Sequence, residues 1–226
     1  MSAIEKLMKS NVWDSRFSLP TIPMHSNPWI YTAYCFLLAG KADKVDYREH
    51  FFSQIDEFYA KCLISPGFFN KWPGGGHTSH DELMGAAWLR PGIAREIVEY
   101  LELNDGMYDN ESKQNNPREK FYMYRFIFLM PYLRACAGLR VSLASQVLWS
   151  LSAISNCWKF TGESSGVLLH MLMCDKMQNY PISKLAVWFW RHRLKTKFGC
   201  TPKLVFSKHY LSECPVLGEI ALETWE

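Results

Sequence analysis

The sequence has little net charge: 25 lysines and arginines stand against 22 aspartates and glutamates, leaving +3. A balance so near neutral sets up no long-range field to gather nucleic acid, and no RNA- or DNA-binding signature is present, so no nucleic-acid partner is expected. There is no CxxC pair either. Seven cysteines stand at 35, 62, 136, 157, 174, 200 and 214, an odd number, mostly within apolar runs. That excludes a disulfide framework and a zinc ribbon, and fits reduced thiols acting as small hydrophobes in a reducing cytoplasm.

An uninterrupted apolar span is also missing. The most apolar window, residues 121–139, contains Arg125, Pro131 and Arg134, so no membrane span is expected. The first residues hold no apolar h-region of the signal-peptide kind. No Walker loop, Rossmann fingerprint or nucleophile elbow occurs; Gly74-Gly75-Gly76 lacks the required lysine and preceding strand. No cofactor and no metal are therefore expected. Convincing period-two alternation is absent throughout, which argues against a β fold.

What is present is apolar and aromatic material. Of 226 residues, 48% are hydrophobic and 15% aromatic, with nine tryptophans, enough for a sizeable core and for extensive interfaces. Helical punctuation recurs along the chain. Asn27-Pro28 opens a helix that is apolar nearly all round and stops at Gly40. Asp46 caps a second helix, in which Phe51, Phe52, Ile55, Phe58, Tyr59 and Cys62 follow a 3–4 spacing up to Pro66-Gly67.

Residues 72–88 form the organising stretch. Pro73 and three glycines exclude a helix in its first half, while Ser79 and Glu82 make a capping box that starts a helix to about Leu89. Pro91-Gly92 is a break or first turn before an amphipathic helix over 93–103, which ends at Asn104-Asp105-Gly106. The polar stretch 105–117 reads as a long surface loop and a possible waist. Helices are then expected over 118–137 with a kink at Pro131, over 142–160, over 163–179, from Pro181 to Gly199, and over 201–211. The fold expected is all-α: one domain, 1–226, of antiparallel helical hairpins.

The junction concentrates chemistry. His77 or His80 has the titration range of a general acid or base, with Asp81 or Glu82 to orient it, and the amides of a helix start can hold an anion. Capping alone also accounts for Ser79 and Glu82, and the helix dipole for Asp81. His25, Trp29 and Tyr31 form a second polar-aromatic group at a helix start. They read either as a ligand rim, with Trp72 and Arg90, or as a capped helix with aromatic core residues. Over 184–197, lysines and arginines interleave with Trp188 and Trp190, which suits phosphate, a glycan, or merely a solvated face.

Two resemblances follow from these residues. The succession of helical hairpins with Ser79-His80-Asp81-Glu82-Leu83-Met84-Gly85 opening one helix resembles the (α/α) toroid of polysaccharide lyases and glycosidases. The run Pro66-Gly67-Phe68-Phe69 to Glu82, ahead of a long apolar half, looks like all-α proteins of tailed bacteriophages. The phage resemblance implies a virion-associated structural protein, a tail or adhesion component made in the host cytoplasm. Its partners would be other virion or assembly proteins, copies of itself, or a glycan. The toroid resemblance implies a glycan-cleaving enzyme. A lyase would draw on Tyr31, His77, His80 and Arg90, and a hydrolase on Asp81 and Glu82. A six-hairpin toroid needs about twelve helices, more than this length supplies.

Overall fold

The computed structural model describes residues 28–43, 48–75, 78–106, 108, 123–159 and 164–198, with short pieces at 5–6, 9, 13–14 and 19–20. Among these residues the chain is mostly helical. Trp13–Asp14 (β1) pairs antiparallel with Leu19–Pro20 (β2). The helices are α1 (Pro28–Asp43), α2 (Arg48–Cys62), α3 (His80–Leu89), α4 (Pro91–Leu103), α5 (Met123–Cys136), α6 (Leu143–Lys159), α7 (Ser164–Met177) and α8 (Ser183–Phe198). Between α2 and α3 lies a hairpin of Leu63–Ser65 (β3) and Phe68–Phe69 (β4).

Several starts follow from local chemistry. Pro28 and Pro91 each occupy the first helical position, where no amide hydrogen is missed. Ser142 lies just before α6, and its Oγ accepts the Ser145 N–H at 3.1 Å. Other boundaries differ from expectation. Helix α1 continues past Gly40 to Asp43, because one glycine costs a helix only about 1 kcal/mol and good helix formers flank it. Helix α8 begins at Ser183, with Pro181 in the turn before it. Pro131 lies inside α5. Asn27, Asp46, residues 118–122 and the helix expected over 201–211 lie outside the described residues.

The β3–β4 hairpin was not expected, since strands of three and two residues are too short to show alternation. Its turn is Pro66-Gly67, with Gly67 at φ 74°, the proline-then-glycine order of a type II turn. The turn is seated closely on α4. The Gly67 N–H donates to Tyr59 Oη (3.2 Å) and Glu96 Oε2 (3.3 Å), and Tyr59 Oη–H donates to the same carboxylate at 2.8 Å.

One connected cluster of buried apolar side chains draws on all eight helices and on Phe69 and Tyr108. It therefore includes helices on both sides of 105–117. Tyr108, within that stretch, is buried, and its Oη accepts the Phe69 N–H at 2.9 Å. The α1–α3 pair is the most extensive helix contact, and α6 packs mainly on α8.

Candidate functional site

The 72–88 junction begins with a four-residue turn. Trp72 and Gly75 exchange backbone hydrogen bonds of 3.2 Å in both directions, with Pro73 and Gly74 (φ 83°) between them. Trp72 is half-buried and Lys71 Nζ lies 5.8 Å from the centre of its ring. The strand side is tied down by Thr78, which is buried and whose Oγ1 donates to the Phe69 carbonyl.

Helix α3 starts as expected at Ser79, whose carbonyl accepts the Leu83 N–H at 3.1 Å. The capping box itself does not form: the Ser79 side chain makes no capping hydrogen bond. Glu82 points elsewhere. It is fully buried, and its Oε2 accepts the backbone N–H of Trp29 at 2.9 Å, at the second residue of α1. The carboxylate thus caps a different helix from the one that carries it, and meets an unpaired amide at the positive end of that helix.

Burial pushes the Glu82 carboxyl up to about 8, against the pull of the Trp29 and Ile30 amides and the Lys71 charge. Its second oxygen is buried with no hydrogen-bond partner. Burial and the nearby Glu82 charge push the Cys62 thiol up to about 12, which keeps it an inert core thiol. One turn on from Glu82, Gly85 lets α3 cross the start of α1 closely. A Cβ there would stand 2.5 Å from the Ile30 nitrogen and the Trp29 carbonyl carbon.

The remaining expected site residues are dispersed. Trp29 is fully buried among Phe58 (5.0 Å between ring centres), Phe69 (5.4 Å) and Tyr59 (6.2 Å), in core positions rather than on a rim. Arg90 sits between α3 and α4. It grips Asp56 with a two-pronged ion pair (2.8 and 2.6 Å) and lies 4.4 Å above the Phe52 ring. Tyr31 falls within α1, and His80 and Asp81 open α3, both half-buried. His25 and His77, and the Tyr31 side chain, lie outside the described residues. Thr78, Glu82 and Gly85 thus fasten α1, α3 and the hairpin together, with the Glu82 carboxyl fully buried.

A second arrangement lies at the α7–α8 turn. A cleft of about 460 Å³ is lined by Gln178, Asn179, Lys184, Val187, Trp188 and Arg191. Trp188 is 61% exposed and stacks on His192 at 5.5 Å and 8°, while Trp190, two residues on, is buried. Arg191 donates to Gln178 Oε1 at 3.1 Å. Lys184, Trp188 and Arg191 share one helix face through their 4- and 3-residue spacing, a grouping beyond the interleaving of tryptophans with basic residues read from the sequence. Gln178 and Asn179 are not singled out by that reading.

Among the described residues, no helix is long and apolar enough to cross a membrane, and no three metal-ligating side chains gather. No protein-family model, curated protein or solved structure matches the chain.

Proposed function

We propose that the chain is a structural component of a tailed-phage particle, a tail or adhesion part that works through protein–protein contacts. The observation that carries this reading is the outward face of α6. Leu143, Val147, Leu148 and Leu151 are 68, 42, 46 and 62% exposed, and Leu185 on the adjoining α8 is 67% exposed. Leu143, Val147 and Leu151 recur every four residues, the ridge that one helix packs into the groove of another. Apolar rows of this kind on a protein surface mark contact sites. The occupant that this reading names is a helical subunit of the same particle, the first candidate being another copy of the chain.

The phage setting rests on the resemblance of the segment from Pro66-Gly67 to Ser79-His80-Asp81-Glu82. A partial toroid-like order of hairpins belongs to the same reading, supported by the packing of α3 on α4, α4 on α5 and α5 on α6. The glycan-cleaving alternative has less support, because Glu82 is closed off and Arg90 is engaged by Asp56. The test is light scattering of the purified chain over a range of concentrations, beside L148E/L151E. The parent is expected to associate, and the variant to stay smaller with an unchanged circular dichroism spectrum. Mass spectrometry of purified particles should find the chain; its absence there, with a strictly monomeric protein, would sink the reading.

A further inference from the structure

The α7–α8 cleft has a definite chemical character. Of its six described lining residues, two are cations, two are amides, one is valine and one is an exposed tryptophan, and none of the six is a carboxylate. A guanidinium fork matches a carboxylate in two-pronged geometry, and an ammonium adds a second attraction without demanding direction. Trp188 and Val187 supply apolar surface beside those charges, and the amides of Gln178 and Asn179 can bond a peptide backbone. Tryptophan and arginine are also the residue types that carry most of the energy in protein contacts. This combination fits a short peptide in which carboxylates alternate with apolar side chains.

The chain itself contains such a segment. Residues 213–226 carry Glu213, Glu219, Glu223 and Glu226 among Val216, Leu217, Ile220, Leu222 and Trp225, with no lysine or arginine. We propose that the α7–α8 cleft takes residues 213–226 of a second copy of the chain, with a tail carboxylate held by Arg191 and Lys184 and an apolar tail side chain against Trp188. Such a contact joins two different surfaces, so it is heterologous and propagates into rings or filaments, unlike a two-fold pairing. The proposal rests on the reading that the chain works through protein contacts, and names the partner.

The experiment uses the full chain, mixed in equal parts unlabelled and fully ¹⁵N-labelled, with a zero-length carbodiimide that joins amines to neighbouring carboxylates. Cross-linked peptides are identified by mass. Lys184 is expected to link to Glu219, Glu223 or Glu226 in mixed-isotope pairs, which form only between copies. The yield should fall about tenfold in R191Q, the factor that about 1.4 kcal/mol of lost charge pairing gives. It should fall also at high salt. A synthetic peptide of residues 213–226 should compete, and the same peptide with glutamine for every glutamate should not. Self-association without any Lys184–tail link overturns the cleft proposal and leaves the contact reading standing. Links confined to isotope-pure pairs, or equal competition by the glutamine peptide, also overturn it. A chain that neither links nor associates removes both.

Discussion

Glu82 on the third helix accepts the Trp29 backbone N–H at 2.9 Å, so a carboxylate 53 residues away in sequence caps the first helix. The bond satisfies one of the amides that a helix start leaves unpaired, and it does so inside the core. Desolvation is nevertheless the largest influence on the group and raises its pKa to about 8 from 4.5. The sign follows from linkage. A folded-state pKa above the unfolded value means that the native state holds the proton more tightly, so stability from this group is fully present below about 4.5. It is lost as pH rises from there through about 8. E82Q removes this titration while keeping an acceptor oxygen. Urea unfolding between pH 5 and 8 should show the parent losing stability relative to E82Q as pH rises; parallel curves would refute the assignment. E82A, which leaves the Trp29 amide buried and unpaired, is expected to cost about 1–3 kcal/mol at every pH.

Gly85 is the second half of the same joint. Alanine is ordinarily better than glycine inside a helix by about 1 kcal/mol. Here its Cβ would press on backbone atoms of Trp29 and Ile30 at 2.5 Å, which cannot swing aside as a side chain would. G85A should therefore destabilise by about 1–3 kcal/mol. Gly92, at the exposed start of α4 with nothing within 4 Å of an added Cβ, is the control: G92A should be neutral or stabilising. Thermal unfolding of both settles the matter, and a stabilised G85A would show that α1 and α3 are not so closely apposed.

These two residues mark where sequence reading succeeds and where it stops. Pro28 and Ser79 announce helix starts because their effects are confined to one turn of backbone, and both lie where expected, while Pro91, read as a break or a first turn, takes the first turn. Glu82 reads as half of a capping box for the same local reason, yet its partner is on another helix, which no spacing rule can see. The amphipathic pattern of α4 locates its buried Ile93, Ile97, Val98 and Leu101 directly. In the basic helix, by contrast, Trp188 and Trp190 look alike in sequence. Only packing against α6 and α7 buries Trp190 and leaves Trp188 open to the cleft.

The serines at two helix starts should behave differently. Ser79 makes no capping bond through its side chain, so S79A should cost less than about 0.5 kcal/mol. Ser142 does: its Oγ accepts the Ser145 N–H at 3.1 Å and pairs with the Ser145 hydroxyl at 2.8 Å. S142A should cost about 1 kcal/mol, the usual loss for an N-cap. Denaturant midpoints at constant m-value give the comparison, and equal costs would mean that Ser79 caps its helix after all.

The final prediction concerns the turn that seats the hairpin. Gly67 and Gly74 both have positive φ, 74° and 83°, so alanine at either place incurs the strain of a left-handed backbone, about 1–2 kcal/mol. Their surroundings differ. A Cβ on Gly74 meets nothing within 4 Å, whereas on Gly67 it would stand 2.1 Å from the Glu96 carbonyl oxygen and 2.8 Å from the Tyr100 Cβ. Relief requires moving the hairpin off α4. That movement breaks the Gly67 bonds to Tyr59 and Glu96 and unstacks Phe68 from Tyr100, which lie 5.2 Å apart between ring centres at 6°. G67A is therefore expected to exceed G74A in cost by about 2 kcal/mol or more. Near-ultraviolet circular dichroism, which reports the packing of these rings, should change in G67A and not in G74A. Equal destabilisation of the two, with both spectra unchanged, would show that backbone conformation alone, and not the seat on α4, sets the requirement for glycine.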